Sequence, residues 1–496
     1  MAAISAGFGF GGLEIVVNFV LQFMLQLREG TDIWRVWTTI PIPLYMKFRL
    51  FNITNPEEFA EGAKAKLVEM GPYVYQEDPE KVNITINLEE DWINYTQPRT
   101  YYFRPEMSNG LESDEVTFIN IIFLAVASLS HEFTDDDFML GMLDGMLTDK
   151  GEKLYRTATV RELLFDGVSI KTYIDLFTSD AIKAAAEAAN QTLDIPENIA
   201  DGKFALLKGK NGTGDGYFVV RSGRNGNHEI GKILTWNDKS TLSYWRGTPE
   251  DGCNQINGTD STIFPPFMTK ETKVEAFSSQ ICRSLTFEFD KESEAERIST
   301  YRFHVSPTTF MSPNSYPPNW CFCPKVKNET NSCIREGVLD IRACFGGAPM
   351  IASLPHFLGA EDWIPNAVEG LSPDPEKHKM IIDFHPRSGS PIKAYARVQF
   401  SIELIPYPAM ASFESAQRAL IPLAWVEEDA TLDDMNLMML RLLDNFVYGF
   451  QFAKFALIGL GVALVVLGLV IAVTGKKSSS AKVKSVPEEK VFPAFE

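Results

Sequence analysis

This chain of 496 residues carries no His-Glu-x-x-His, no Gly-x-Ser-x-Gly, no Gly-x-x-x-x-Gly-Lys and no paired Cys-x2-Cys motif. The usual signatures of zinc peptidases, serine hydrolases, phosphate-binding loops and zinc ribbons are therefore missing, and nothing calls for a metal ion or a cofactor. The stretch Gly209–Gly216, GKNGTGDG, reads as a turn rather than a phosphate cradle. Its six histidines, His131, His228, His304, His356, His378 and His385, are scattered, so a non-catalytic protein is expected. Basic charge is also short: 46 Lys and Arg stand against 65 Asp and Glu, a net charge of -19. That balance excludes nucleic acid and heparin as natural partners. No Lys or Arg precedes Arg28, so the amino terminus lacks the basic region of a signal peptide. Repeats, low-complexity tracts and clear linkers are absent too, which leaves one large domain.

Cysteine is rare but concentrated. All six lie at Cys253, Cys282, Cys321, Cys323, Cys333 and Cys344. An even count in one region reads as a disulfide framework, whose fifteen pairings the spacing alone leaves open. A zinc site is disfavoured, because Cys321-Phe-Cys323 and the unequal gaps lack paired ligand spacing. Seven Asn-x-Ser/Thr sequons, at Asn52, Asn83, Asn94, Asn190, Asn211, Asn257 and Asn328, accompany the cysteines. Glycans at those positions require an oxidising secretory compartment and a surface location.

One long apolar run exists. Phe455 to Val473, FALIGLGVALVVLGLVIAV, contains no charge and covers about 28 Å as a helix, enough to span a bilayer core. Lys476, Lys477, Lys482 and Lys484 follow it, while Glu427, Glu428, Asp429, Asp433 and Asp434 precede it. The lysines place the tail, residues 475–496, in the cytoplasm, with residues 28–449 outside and a transmembrane helix over 450–474. Leu13 to Leu27 is less apolar than it looks, since Glu14, Asn18, Gln22 and Gln26 make a polar stripe on one helical face. Residues 1–27 are therefore an apolar segment unsuited to crossing lipid alone.

Between these ends the hydrophobic period changes. Asn55-Pro56-Glu57-Glu58 predicts a capped helix through FAEGAKAKLVEM, stopped by Gly71-Pro72. Phe118 to Leu129, Phe133 to Leu147 and Val160 to Phe165 predict a helical block between about 117 and 190. Downstream, Pro391 to Leu404 alternates strictly, with Ile392, Ala394, Ala396, Val398, Phe400, Ile402 and Leu404 set inward and Lys393, Tyr395, Arg397, Gln399, Ser401 and Glu403 set outward. Shorter runs at Tyr217–Arg221, Ile230–Trp236, Ser284–Phe289 and Thr300–Val305 also predict strands. The class is α+β, with the cysteines in the sheet region.

Several long motifs, in order, resemble the class B scavenger receptor family: NPEEF at Asn55, GPYVY at Gly71, GTDSTIFPPF from Gly258, FSSQICRS from Phe277, WCFCP from Trp320, GVLDIRAC from Gly337, GAPMIASLPHFLGA from Gly347 and EGLSPDPEKH from Glu369. Within that family, which includes fatty-acid translocase and lysosomal integral membrane types, YYFRPEMS from Tyr101 and the stretch Ile382 to Leu404 look most like insect sensory neuron membrane proteins. The resemblance implies an antiparallel β-barrel-like ectodomain with a distal helical cluster and an apolar tunnel that carries lipid toward the membrane. It implies the pairs Cys253 with Cys321, Cys282 with Cys344, and Cys323 with Cys333. It also implies a first membrane helix, of which residues 1–27 look like a remnant.

The implied ligands are fatty acids or pheromone-like lipids, received at a helical apex where a basic group meets the polar head. Phe138, Leu143, Met146 and Leu147 with Lys150, Lys153 and Arg156 fit that description, although ordinary core packing and a solvated helix end explain the same residues. An odorant receptor or a lipid-carrier protein is the implied partner, at the plasma membrane. General uptake of lipid or lipoprotein, or phagocytic recognition through the same surface, is the alternative.

Overall fold

The computed structural model describes residues 19–20, 22–40, 42–133, 136–180, 182–184, 199–324 and 335–480. Two compact units emerge, one spanning Leu25–Leu437 and the other drawing on residues 1–24 and 438–496.

The larger unit is built on an eleven-stranded antiparallel sheet. Its strands are β1 (Leu44–Ile53), β2 (Leu67–Pro79), β3 (Arg99–Phe103), β4 (Val274–Ser278), β5 (Arg283–Ala295), β6 (Ile298–Val305), β7 (Val338–Asp340), β8 (Met350–Ser353), β9 (Ile381–Phe384), β10 (Pro391–Leu404) and β11 (Ala419–Thr431). The path runs β4-β5-β6-β9-β10-β11-β1-β2-β3, with β8 attached to β10 and β7 to β8. It is mixed with helices as expected, but β3 and β4 end the path without pairing with each other, so the sheet is open rather than a closed cylinder.

The strand predicted at Pro391–Leu404 forms over that span, yet its faces depart from simple alternation. Arg397, Gln399, Ser401 and Glu403, predicted outward, are buried, whereas Ala396 is exposed. Each buried polar group has a partner. Arg397 donates to Glu427 Oε2 at 2.6 Å and to the Lys379 carbonyl at 2.9 Å. Gln399 accepts from the His356 amide at 2.7 Å. Glu403 holds Arg342 and Arg418. Both faces of the central sheet are thus covered, and the polar face is kept inside by ion pairing rather than by apolar character.

The helix predicted after Asn55 stops early. It covers only Pro56–Ala60, and Leu67–Pro79 is β2, paired along β1 from Ile53↔Leu67 to Leu44↔Glu77. Asn55 does not cap it. Its amide bridges to the returning chain, accepting from Lys66 N at 2.8 Å and donating to the Lys64 carbonyl at 3.0 Å. Gly62 permits the reversal, since its φ is +100° and a Cβ there would collide with the Ser415 carbonyl. Pairing of a long strand outweighs local helix propensity.

The predicted helical block is likewise interrupted. Helices α1 (Ile121–Phe133), α2 (Asp137–Thr148) and α3 (Lys171–Phe177) are present. Glu115–Ile119, just before α1, pairs with Tyr155–Thr159, after α2, as a two-stranded ribbon, and Glu162–Asp166 is a π-helical turn.

Helix α4 runs from Asp434 to Ser480. From Asp434 to Ala472 it is long and apolar enough to cross a membrane. Leu460, Val462, Leu467, Val470 and Ile471 are exposed, the expected state of a lipid-facing helix.

Candidate ligand-capture site

The helical cluster starts with a cap. Asn120 precedes the apolar run of α1, and its Oδ1 accepts from Phe123 N at 3.3 Å, which satisfies a first-turn amide. Its Nδ2 donates to Glu152 Oε2 at 3.1 Å and to the Lys153 carbonyl at 2.9 Å. Tyr173 of α3 donates to the same Glu152 oxygen at 2.7 Å. One buried carboxylate therefore ties together the start of α1, the turn after α2, and α3. Burial and Glu152 push the Tyr173 phenol well above its usual range, with Asn120 and Arg156 opposing. An Asn before an apolar run is a readable start signal, but Glu152 and Tyr173 carry none.

Helix α2 begins at Asp136, whose side chain accepts from Phe138 N and Met139 N. Its two faces differ. Leu140, Asp144 and Leu147 point inward, and Leu147 is fully buried. Phe138, Met142 and Met146, spaced four apart, form an outward stripe that is 77%, 43% and 40% exposed. Leu143 is partly buried against the core. The four apolar residues named from the sequence are therefore split: Phe138 and Met146 lie on the surface, and Leu147 belongs to the core.

The three cations separate as well. Lys150 and Lys153 are exposed, Lys153 lying 5.6 Å from the Tyr155 ring centre. Arg156 shares a strand face with buried Ala158 and sits opposite Phe118. Its Nη1 is buried with no hydrogen-bond partner. A buried guanidinium N–H without an acceptor is a donor left for a ligand or water. Among the described residues no group of His, Cys, Asp and Glu is placed to hold a metal ion.

Of the remaining sites read from the sequence, Asn211 is exposed and its Oδ1 accepts from Tyr101 N at 3.0 Å. Asn83 is exposed too, and Asn52, Asn94 and Asn257 are half-buried. Asn190, Asn328 and Cys333 lie outside the described residues. The structure joins Cys253 to Cys321 and Cys282 to Cys344, and Cys323 is also disulfide-bonded.

A family model described as the CD36 family matches residues 1–472. The chain belongs to the CD36 family. It is 34% identical over 420 residues to Sensory neuron membrane protein 1 of Apis mellifera, covering 83% of this chain and 77% of that protein. Sensory neuron membrane protein 1 of Ostrinia nubilalis is 32% identical over 497 residues, 98% of this chain and 91% of its own. Scavenger receptor class B member 1 of Rattus norvegicus is 32% identical over 440 residues, 88% of this chain and 80% of its own. Membership of the CD36 family, a membrane-protein family, agrees with the apolar span in α4, the one such helix among the described residues.

Proposed function

We propose that this CD36-family protein is a cell-surface receptor that captures hydrophobic ligands and hands them to the membrane, without catalysing a reaction. The observation that carries this is the outward apolar stripe of α2, followed along the chain by Arg156 on the Tyr155–Thr159 strand, whose Nη1 has an unused hydrogen bond. A fatty acid offers matching chemistry: an alkyl chain for Phe138, Met142 and Met146, and a carboxylate for the guanidinium. Each methylene withdrawn from water gains about 0.8 kcal/mol, so a twelve-carbon chain resists free diffusion by roughly 10 kcal/mol. A covered route through the protein would lower that barrier with no chemistry at all. The apolar tunnel belongs to this proposal, as do glycans on the sequons, an outward-facing large unit, a cytoplasmic carboxyl terminus and the plasma membrane as its site.

Chemosensation is the role we favour, with pheromone-like lipids as ligands and an odorant receptor or lipid carrier as partner. The similarity to two insect sensory neuron membrane proteins supports it. The comparable identity to the rat scavenger receptor supports general lipid or lipoprotein uptake as the second reading. Full-length protein in nanodiscs should bind a fluorescent long-chain fatty acid saturably and near one to one. Arg156→Gln should weaken the acid more than its methyl ester. Absence of saturable binding to either lipid would defeat the capture reading.

A further inference from the structure

Arg283 opens β5 immediately after Cys282, and its side chain turns into the protein rather than into solvent. The residue is 8% exposed. Its guanidinium rests 3.6 Å above the Phe322 ring, and Nη2 donates to Asn319 Oδ1 at 3.3 Å. The Asn319 orientation is not adjustable, because Nδ2 already donates to the Thr308 and Met311 carbonyls at 2.8 and 2.7 Å. Nε of Arg283 is buried and makes no hydrogen bond. Among the described residues no carboxylate lies within ion-pairing distance of it.

The neighbouring acids are committed elsewhere. Asp340 accepts from Arg342 N and Nε at 2.9 and 3.0 Å, and its second oxygen takes Arg342 Nε at 2.7 Å. Glu336 accepts from the Ser312 amide and hydroxyl at 3.1 and 2.7 Å. Trp245 spends its Nε1 on the Cys282 carbonyl at 2.7 Å. What remains beside Arg283 is a cavity of about 30 Å³, walled by apolar side chains and by Arg283, Ser312, Asn319 and Asp340. That volume suits one species about the size of a water molecule.

A buried guanidinium without a counter-charge costs several kcal/mol, and a neutral water in the cavity would leave that charge unbalanced. We infer that this cavity is a binding site for one small monovalent anion of halide size, held by Arg283 over Phe322 and fixed in place by Asn319. Burial alone lowers the Arg283 pKa to about 9, so the cation persists at neutral pH. The site lies beside both described disulfides, Cys282 directly preceding Arg283 and Cys321 directly preceding Phe322, and it links the cysteine region to the ionic composition of the medium.

The test is thermal unfolding of full-length protein in detergent, in sodium chloride or bromide against sodium gluconate at equal ionic strength, with crystals soaked in bromide. Halide should raise the wild-type midpoint by about 2 °C, saturably, and leave Arg283→Met unmoved. Bromide should give an anomalous peak in the cavity next to Arg283. Equal midpoints in both salts, a halide effect that survives in folded Arg283→Met, or a water with no bromide signal would each overturn the inference. If Arg283→Met fails to fold, the wild-type salt comparison and the bromide map still decide.

Discussion

The imidazole rings of His356 and His378 lie stacked, 4.4 Å apart at their centres and 13° from parallel. Each Nδ1 is an acceptor, from Ser372 N at 3.1 Å and from Asp374 N at 2.9 Å. Both rings are therefore neutral with the proton on Nε2, and that of His356 is donated to Glu69 Oε2 at 2.7 Å. Trp425 Nε1 donates to the same oxygen at 3.1 Å, and Arg49 stacks 4.1 Å above the Trp425 ring. The pair thus pins the loop carrying Ser372 and Asp374 to β1, β2 and β11. Nothing in the SLPHF motif around His356 announces a partner 22 residues away.

Protonation of His378 would cost its contact with the Asp374 amide, so stability should fall with acid. Burial, then the neighbouring His356 and Arg397, lower the His378 pKa to about 4, against the pull of Glu69 and Asp374. Between pH 6.5 and 4 the unfolded chain takes up a proton that the native one refuses, so native stability drops as pH falls through that window. Asp340, raised to about 6 by burial, acts in the opposite sense below pH 6. His378→Asn keeps an acceptor near Asp374 N and removes the titration. Its unfolding midpoint should fall less than half as far between pH 7 and pH 5 as that of the wild type, measured by scanning fluorimetry.

The two described disulfides close separations of 68 and 62 residues. Chain-entropy loss in the unfolded state makes each worth about 4 kcal/mol. Cys253→Ala with Cys321→Ala, and separately Cys282→Ala with Cys344→Ala, should lower the yield of surface-exposed protein several-fold. Surface biotinylation after expression at two temperatures measures it.

Glu427 sits between two cations on neighbouring strands, accepting from Arg397 Nε at 2.6 Å and Lys47 Nζ at 3.1 Å. Burial raises its pKa, but the two cations outweigh that and hold the carboxyl below its usual range. Glu427→Gln leaves both cations partly unpaired inside the sheet. A loss of about 3 kcal/mol is expected in denaturant unfolding. A change below 1 kcal/mol would show that solvent reaches the triad.

What was legible in the sequence is what depends on neighbours along the chain. The apolar run in α4 declares itself because lipid tolerates no charge over a full span, and the 391–404 strand does so through period two. The direction of that strand's buried face was not legible. Arg397, Gln399 and Glu403 become interior residues only because Glu427, His356 and Arg342 arrive from elsewhere in the chain. The same holds at Leu67–Pro79, where a helix-like composition yields to pairing with β1. The α2 stripe was half legible. Its period was visible, but only the packing of Leu140 and Leu147 against the core shows which face remains for Phe138, Met142 and Met146.

That division of α2 gives the sharpest contrast between capture and stability. Phe138 and Met146 contribute little to the folded core, so replacing both by Ser should change unfolding free energy by less than about 0.5 kcal/mol. The same change removes apolar area that a bound alkyl chain would cover, and fatty-acid affinity should fall by roughly tenfold or more. Leu147→Ser should do the reverse, costing about 3 kcal/mol of stability by leaving a cavity and an unpaired hydroxyl in the core. Paired titrations and unfolding curves on the two variants separate the effects. Should Phe138→Ser/Met146→Ser bind lipid as tightly as the parent, the stripe is surface and nothing more, and capture must begin elsewhere on the helical cluster.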